Sequence, residues 1–484
     1  MKLKELLRGI QVLEATADLE LNIDSVCYDS RKATPGCLFV AITGFAVDGN
    51  RFIPMAMEKG AAVVVTAVRP EIPVPYVLVG NDRLALALIA GNFYGHPAKD
   101  MVMIGVTGTN GKTSSTMLLK QVLEKTLGAK VGLIGTMENL VGDEVVPTER
   151  TTPESLELQA LFAKMRDGGC THCIMEVSSH ALCLERVADI TYDVAAFTNL
   201  TEDHLDFHKT MDAYCDAKAE LFRRCKKAVI NMDDAYADRI NAAAAGTSVL
   251  TTTCKEQADL RAENISLYAE GVSFDAKLDG KTVPVRLAIP GKFTVYNALT
   301  VLGIAVQLRI ALPEAAKAIS EAKGVQGRIE VVPTPGKPYT VLIDYAHTPD
   351  GLENVLFSVR NFCQGRLIAV FGCGGDRDPI KRPIMGKIGV ELADIAVITS
   401  DNPRNEDPMA IIEDILVGAK EAGGEYVVIE NRRKAIGYAL DIAEKNDIII
   451  LAGKGHETYQ EICGVKHHLD EREEVAAYLR KTEE

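Results

Sequence analysis

The stretch "GVTGTNGKTS", residues 105–114, follows the apolar run "MVMI" and precedes "SSTMLLKQVLEKTL", a good helix-forming run. Its residue types suit one kind of chemistry. Glycines let backbone N–H groups close around phosphate oxygens at a helix N-terminus, a lysine reaches the terminal phosphates, and a following hydroxyl can ligate Mg²⁺. Here the glycines are Gly105, Gly108 and Gly111, with Lys112, Thr113 and Ser114 behind them. The strict G-x4-G-K-[ST] pattern would need glycine where Val106 stands, so the loop is a variant. A strand before it and a helix after it still favour phosphate binding over a plain strand–helix turn. The contacts would come from Gly108, Thr109, Asn110, Gly111, Lys112, Thr113 and Ser114.

Three further residues could complete such a site. Glu176 closes the apolar run "HCIME", and Mg²⁺ prefers one or two carboxylates beside phosphate oxygens and water; a strand-end glutamate is as often a plain surface residue. His204 in "TEDHLDFH" could ligate a metal as neutral imidazole or serve structure alone. Asp344 ends the run "VLID", where a carboxylate can bind ribose hydroxyls. Together with the glycine loop they describe one ATP–Mg²⁺ site drawn from two segments. A second polar stretch, "TSDNPRNEDP" (399–408), sets Asp401, Asn402, Pro403 and Arg404 in a row. It reads either as a solvated turn or as a loop whose proline holds amide and guanidinium in a set geometry. Cys170 and Cys173 have metal-ligand spacing, but no second CxxC pair completes a tetrahedral zinc site.

These residues need elements to position them. Short apolar runs alternate with helical patterns along most of the chain, which predicts an α/β fold with largely parallel sheets. Seven of the runs end in charged, amide or glycine residues: "MVMIGVTGTNGKT", "CIMEVSSH", "AAFTNLTEDHLDFH", "VLIDYAHTPD", "LIAVFGCGGDRD", "AVITSDNPR" and "IIILAGKGHE". Ligands of open α/β sheets sit beyond the carboxyl ends of strands, so this organisation predicts an enzyme. The 484 residues exceed what one core supports. Three segments are expected: 1–99, closing with "YGHPAKD"; 100–329, opening with the glycine loop; and 330–484, beside the Pro/Gly stretch "VVPTPGKPY".

Composition narrows the class. A net charge of −14 argues against general nucleic-acid binding. No apolar run approaches the ~20 residues of a membrane span, and the N-terminus lacks a secretory h-region. Eleven irregularly spaced cysteines suit reduced thiols, so a cytoplasmic setting is expected.

The motifs then combine. "GTNGKT" (108–113), "MEVSSHAL" (175–182), "FTNLTEDHLDFH" (197–208), "YNA" (296–298), "GRIE" (327–330) and "DYAHTPD" (344–350) together resemble the Mur ligases of peptidoglycan synthesis over nearly the whole chain. "DSR" (29–31), "GGDRD" (374–378), "DNPR" (401–404) and "GKGHE" (453–457) resemble the MurE type within that family. Folylpolyglutamate synthetases share the central ATP machinery but lack the "DSR" domain type and the DNPR loop. The resemblance implies three domains: an N-terminal UDP-binding domain, a central P-loop ATPase-like domain and a Rossmann-like C-terminal domain that takes an amino acid. It implies ATP-dependent activation of the D-glutamate carboxylate of UDP-MurNAc-L-Ala-D-Glu as an acyl phosphate, then amide formation with meso-diaminopimelate. A monomer is expected, with no nucleic-acid partner and no membrane insertion.

The resemblance also assigns residues. Lys112 would neutralise phosphate charge, with Thr113 and Glu176 on Mg²⁺ and His204 on a second Mg²⁺. Lys218, by sequence alone a solvated helix lysine, matches a lysine that family members carry as a carbamate, another metal ligand. Asn297, Arg328, Asp344 and His347 match nucleotide-site positions. Ser30, near the "GFAVDG" loop, matches a uracil or ribose contact. Thr151, Thr152, Ser178 and Arg186 match residues holding the muramyl dipeptide, although "TTPE" would equally cap the helix that follows. Leu184 stands where some members have glutamine, so no polar contact is expected there. Arg377, Asp401, Asn402, Pro403, Arg404, Gly453 and Glu457 match the amino-acid site. Of these, Arg404 separates diaminopimelate from L-lysine, because a buried second carboxylate needs a guanidinium beside it. A non-catalytic ATP switch and a phosphotransferase remain as alternatives; the first forms no amide, and the second releases a stable phosphorylated product.

Overall fold

The runs of Val, Ile, Leu and Ala become strands buried on both faces, as parallel sheets between helix layers require. The structure is a computed structural model that describes residues 1–44, 48–148, 150–255 and 257–481. Contacts divide the chain into two compact units, one of residues 1–261 and 299–318, the other of residues 262–298 and 319–484.

The first unit holds two sheets. The N-terminal sheet comprises β1 (Val12–Ala15), β2 (Ser25–Cys27), β3 (Cys37–Ala41), β4 (Val63–Thr66) and β5 (Tyr76–Val79), ordered β1-β5-β4-β3-β2. Only β1 runs antiparallel to its neighbour. The central sheet carries β6 (Val102–Thr107), β7 (Val131–Ile134), β8 (Asn139–Val141), β9 (Glu144–Val146), β10 (His172–Glu176), β11 (Val194–Phe197), β12 (Lys227–Asn231) and β13 (Ser248–Thr253). Within this unit the order is β13-β12-β11-β6-β10-β7-β8-β9, parallel from β13 to β7 with β8 and β9 antiparallel at the edge. Register pairs Glu176 with Val106 and Phe197 with Thr107, so β6, β10 and β11 end together. Within "YGHPAKD" the chain forms the short 3₁₀ turn Pro97–Asp100, and His96 Nδ1 lies 2.8 Å from Asp189 Oδ2.

The second unit begins within β14 (Leu260–Tyr268), at Ala262, and its β15 (Gly271–Leu278) pairs antiparallel with β16 (Lys281–Leu287). The six-stranded sheet contains β17 (Glu330–Val332), β18 (Thr340–Asp344), β19 (Leu367–Phe371), β20 (Ile395–Ile398), β21 (Tyr426–Val428) and β22 (Ile448–Ala452). Its order is β17-β18-β22-β19-β20-β21, parallel except for β17. "VVPTPGKPY" therefore lies in the connection between β17 and β18, where a chain reversal suits Pro and Gly. A hairpin of β23 (Tyr459–Ile462) and β24 (Val465–His468) follows β22. No helix among the described residues is long and apolar enough to cross a membrane.

All seven apolar runs with polar ends are strands of parallel ladders. Three end at one edge of the central sheet and four at one edge of the C-terminal sheet.

Candidate functional site

At the end of β6 the chain turns through Gly108 (φ +151°) and Gly111 (φ +83°) into the helix Lys112–Leu127. A Cβ on Gly108 would lie 1.9 Å from Thr198 Oγ1, so only glycine fits this approach. The residues after β11 clamp the loop from the side. Asn199 Oδ1 accepts from Asn110 N (2.9 Å), and Thr198 Oγ1 and Asn199 Nδ2 donate to Asn110 O (2.6 and 3.0 Å). Lys112 Nζ folds back over the loop, donating to Gly108 O and Thr109 O (2.9 and 2.8 Å). The fixed backbone and a lysine over it suit a polyphosphate.

Glu176, 1% exposed, is the hub beside the loop. Its Oε2 accepts from Thr113 Oγ1 (3.1 Å) and Thr136 Oγ1 (2.9 Å), and its Oε1 from Thr136 N (3.0 Å). A carboxylate and a hydroxyl at hydrogen-bond distance are the hard oxygen donors that Mg²⁺ takes together with phosphate. Among the described residues no group of three or more His, Cys, Asp or Glu side chains could hold a metal by itself. The Glu176–Thr113 pair thus fits a metal that brings phosphate oxygens with it.

Thr152 does not cap the next helix. Its hydroxyl donates to Glu176 O (2.8 Å) and accepts from Ser178 N (3.1 Å), tying the "TTP" turn to the end of β10, while the helix Ser155–Asp167 starts after Glu154 without a side-chain cap. Thr151 reaches Thr136 (3.1 Å), and Ser178 Oγ caps its own short helix through Ala181 N (3.2 Å). Arg186 Nη1 donates to Thr152 O (3.0 Å), and its Nε lies 2.8 Å from Glu154 Oε1. Arg150 (3.3 Å) and Arg83 (3.8 Å) approach the same Glu154 carboxylate, giving three guanidiniums around one acid. Ser30 is buried in a 3₁₀ turn, 3.3 Å from Met55 Sδ; the "GFAVDG" loop has residues 45–47 outside the described residues.

Lys218 is 1% exposed, so the solvated-lysine reading fails. Its Nζ donates to Gly108 O (2.9 Å) and sits 4.4 Å from the centroid of the Tyr214 ring. Burial, and then the charge of Lys112, push its pKa well below the ordinary lysine range. A larger share of it is therefore the neutral amine. His204 is left-handed (φ +53°), 3.3 Å from Asp203 and edge-on to His180, with ring centroids 4.9 Å apart. Cys170 and Cys173 lie in the hydrophobic core of the central sheet, where burial raises both thiol pKa values.

In the second unit, Asp344 closes β18 and accepts from Ile329 N and Ala346 N (both 2.8 Å). Burial raises its pKa, opposed by the nearby Arg328. Arg328 lies over the Tyr345 ring (5.6 Å), and His347 Nδ1 is 2.9 Å from Tyr345 O. Asn297 is buried on the helix Lys292–Gln307.

The DNPR loop follows β20 and is held by backbone and side chains together: Arg404 N donates to Glu461 O (3.0 Å), Cys463 N to Arg404 O (2.7 Å) and Gly375 N to Asn402 O (2.9 Å), with a side-chain network around them. Asn402 Nδ2 donates to Glu457 Oε2 (2.9 Å), and its Oδ1 accepts from Lys454 Nζ (3.1 Å) and Glu461 N (2.9 Å). Asp401 accepts from Asn402 N (2.7 Å) and lies 3.8 Å from Arg432, which is itself 2.8 Å from Glu471. Burial alone would raise the Asp401 pKa; Lys454 and then Arg432 outweigh it and hold it below the ordinary range. A Cβ on Gly453 (φ +117°) would come within 2.6 Å of Asp401 Oδ2. Pro403 is buried, and Arg404 (φ +50°) donates from Nη1 to Gly375 O (2.8 Å) with its Nε 3.4 Å from Glu461. Arg404 keeps about a fifth of its side chain exposed (21%), whereas Arg377 is exposed. The loop then starts a helix, Asp407 capping Met409 N and Ala410 N with Pro408 at the first position.

Sequence reasoning missed Thr136, Asn199, Tyr214, Arg83 and Lys454. Thr136 stands just past β7, and the same strand-end rule that found Glu176 would have reached it. Lys454 stood inside a quoted motif, but nothing in its spacing revealed that it is fully buried. A hollow of about 720 Å³ lined by Lys130, Asp143, Glu144 and Lys164 opens at the amino end of β7, the edge opposite the glycine loop.

Comparison with known proteins concerns the chain as a whole. Family models match residues 22–94 (Mur ligase family, catalytic domain), 106–305 (Mur ligase middle domain) and 327–455 (Mur ligase, glutamate ligase domain). A Clostridium acetobutylicum protein named UDP-N-acetylmuramoyl-L-alanyl-D-glutamate–2,6-diaminopimelate ligase 1 is 47% identical over 99% of this chain and 100% of its own length. The ligase of the same name, without the numeral, from Caldanaerobacter subterraneus subsp. tengcongensis is 48% identical over the full length of both chains. A solved structure of a UDP-N-acetylmuramoyl-L-alanyl-D-glutamate–2,6-diaminopimelate ligase superposes with a TM-score of 0.74 at 31% identity, covering 100% of this chain and 99% of that one.

Proposed function

The chain belongs to the Mur ligase family, with that family's three-domain architecture, and we propose in detail how its residues form an amide between UDP-N-acetylmuramoyl-L-alanyl-D-glutamate and meso-diaminopimelate, driven by ATP, in peptidoglycan precursor synthesis. The domains are taken as residues 1–99, 100–329 and 330–484. The enzyme works as a monomer in the cytoplasm, with no nucleic-acid partner.

The γ-phosphoryl group passes from ATP to the D-glutamate carboxylate, giving an acyl phosphate and ADP. The amine then attacks the acyl carbon, loses a proton, and the tetrahedral intermediate expels phosphate. Attack by one anion on another is opposed unless cations lie alongside. Backbone amides of residues 108–113 and the Lys112 ammonium supply that charge around the polyphosphate. Thr113 and Glu176 would hold Mg²⁺, which when bound screens the phosphate oxygens. Asn297, Arg328, Asp344 and His347 take the nucleoside end. Thr151, Thr152, Ser178 and Arg186 hold the muramyl dipeptide, and Ser30 the uridine end.

Lys218 as an ammonium is a donor and cannot ligate a cation. As the carbamate formed when its neutral amine adds CO₂ and releases a proton, it becomes an anionic oxygen ligand that would join His204 at a second Mg²⁺. The depressed pKa of Lys218 favours that addition.

The observation that carries the substrate reading lies in the second unit. A partly exposed guanidinium, Arg404, shares one loop with Asp401 and Asn402, and Asn402 is bonded to the carboxylate of Glu457 from the segment after β22. Carboxylates suit the ammonium end of a diamino acid, and Arg404, with Arg377, suits its carboxylates. The reading is tested by supplying ATP, Mg²⁺, UDP-MurNAc-L-Ala-D-Glu and meso-diaminopimelate and following free phosphate and amide product together. One phosphate per amide, with hydroxylamine trapping an acyl phosphate when the amine is withheld, is expected. Nucleotide binding without ligation, or a stable phosphorylated product, would contradict it.

A further inference from the structure

One buried cation of the second unit has no role in the scheme above. Lys454 is 0% exposed, between Gly453 and Gly455 at the end of β22. Its Nζ donates to Asn402 Oδ1 (3.1 Å) and Glu457 Oε2 (3.0 Å) and lies 5.7 Å from the centroid of the Tyr459 ring. It thus grips two of the three residues assigned to the amine-bearing end of the substrate, Asn402 and Glu457. Glu457 Oε2 already accepts from Asn402 and Lys454, which leaves Oε1 as the oxygen without a protein hydrogen bond among the described residues.

The surrounding charges are unequal in number. Asp401, Glu457 and Glu471 supply three carboxylates, while Lys454 and Arg432 supply two cations, so the cluster keeps one negative charge in excess. Asp401 Oδ2 is a buried acceptor without a hydrogen-bond partner, held 3.8 Å from Arg432 Nη1. One further ammonium would neutralise the cluster and could serve that orphaned oxygen.

We propose that Lys454 is a positioning and specificity residue for the incoming diamino acid: it fixes the orientation of the Asn402 amide and the Glu457 carboxylate and leaves the cluster room for one ammonium charge. Without it, two carboxylates would be left uncompensated and the Asn402 amide would lose one of the three bonds that orient it. The proposal rests on the amino-acid site assigned above.

The test is steady-state kinetics of K454M, which keeps length without charge, and K454R, which keeps charge on a different fork. K454M is expected to raise KM for meso-diaminopimelate about 10- to 100-fold, the range for losing a hydrogen bond to a charged group. KM for ATP and for UDP-MurNAc-L-Ala-D-Glu should stay near wild type, and K454R should give a smaller but equally selective rise. If K454M does not fold, the selectivity of K454R decides alone. An unchanged KM for the diamino acid, or equal rises for all three substrates, overturns the role of Lys454. Failure of the wild type to ligate meso-diaminopimelate would instead strike the functional reading on which the proposal stands.

Discussion

At the end of β6 the chain offers its own backbone; at the end of β20 it offers side chains. The glycine loop is shaped by Gly108 and Gly111 and held in place by Thr198 and Asn199, with Lys112 lying across it. The DNPR loop is tied by backbone bonds to Gly375, Glu461 and Cys463, and it presents a buried side-chain network in which Asn402 joins Lys454 and Glu457 while Asp401, Arg432 and Glu471 neutralise one another in part. Polyphosphates present the same oxygens in every nucleotide, and amides at a helix N-terminus recognise them generically. A diamino acid must be told from its neighbours by the placement of single charges, which only side chains can supply.

The two regions should therefore fail differently. The largest effect is expected for Lys218→Ala: turnover should fall about 10³-fold or more if an anionic ligand and its charge screening are lost, as removal of preorganised electrostatic groups does. Phosphate release at saturating substrates checks it, and partial rescue by a small carboxylic acid would tie the loss to the missing carboxylate. Carbamate on the wild-type lysine should increase with bicarbonate and with rising pH, because more of the amine is then neutral, and ¹³C NMR with labelled bicarbonate reads it directly. Gly108→Ala ranks next. The added methyl would meet Thr198 Oγ1, so KM for ATP should rise about 100-fold through misplacement of the loop.

Arg404→Ala should do the reverse, raising KM for diaminopimelate about 10- to 100-fold with ATP affinity nearly unchanged. A rise in both constants would erase the division of labour between the regions. Thr152→Val removes the hydroxyl between Glu176 O and Ser178 N, leaving buried groups unpaired; a loss of about 1–3 kcal/mol in denaturant unfolding is expected. The smallest effect concerns pH. Asp401 has a depressed pKa in the folded chain, so its contribution is fully present above the ordinary aspartate value of 3.8 and is lost as pH falls through the folded value. The stability difference between wild type and Asp401→Asn should shrink over that acid range, as thermal melts would show.

Legibility from sequence follows the same division. All seven polar strand ends were readable, because fully buried parallel strands are continuous apolar runs and their carboxyl ends must carry the ligand groups. Glycine spacing announced the tight loop after β6, since the requirement for positive φ is written in residue type. The C-terminal site could be read only by resemblance. Nothing in "GKGHE" distinguishes a buried Lys454 from a solvated one, and nothing in "DAKAELF" shows that Lys218 faces Gly108 O; both depend on contacts between distant segments. Thr152 reads as a helix cap from the threonine–proline sequence, yet its partners are Glu176 O at the end of β10 and Ser178 N just beyond it, not the helix it precedes.

The most direct test of the account sets the two candidate amines against each other. With ATP, Mg²⁺ and UDP-MurNAc-L-Ala-D-Glu fixed, kcat/KM is measured from phosphate release for meso-diaminopimelate and for L-lysine. The guanidinium of Arg404 predicts a preference for diaminopimelate of about 100-fold or more, the value of a charge-assisted carboxylate contact that lysine cannot make. Equal values, or a preference for L-lysine, would contradict it.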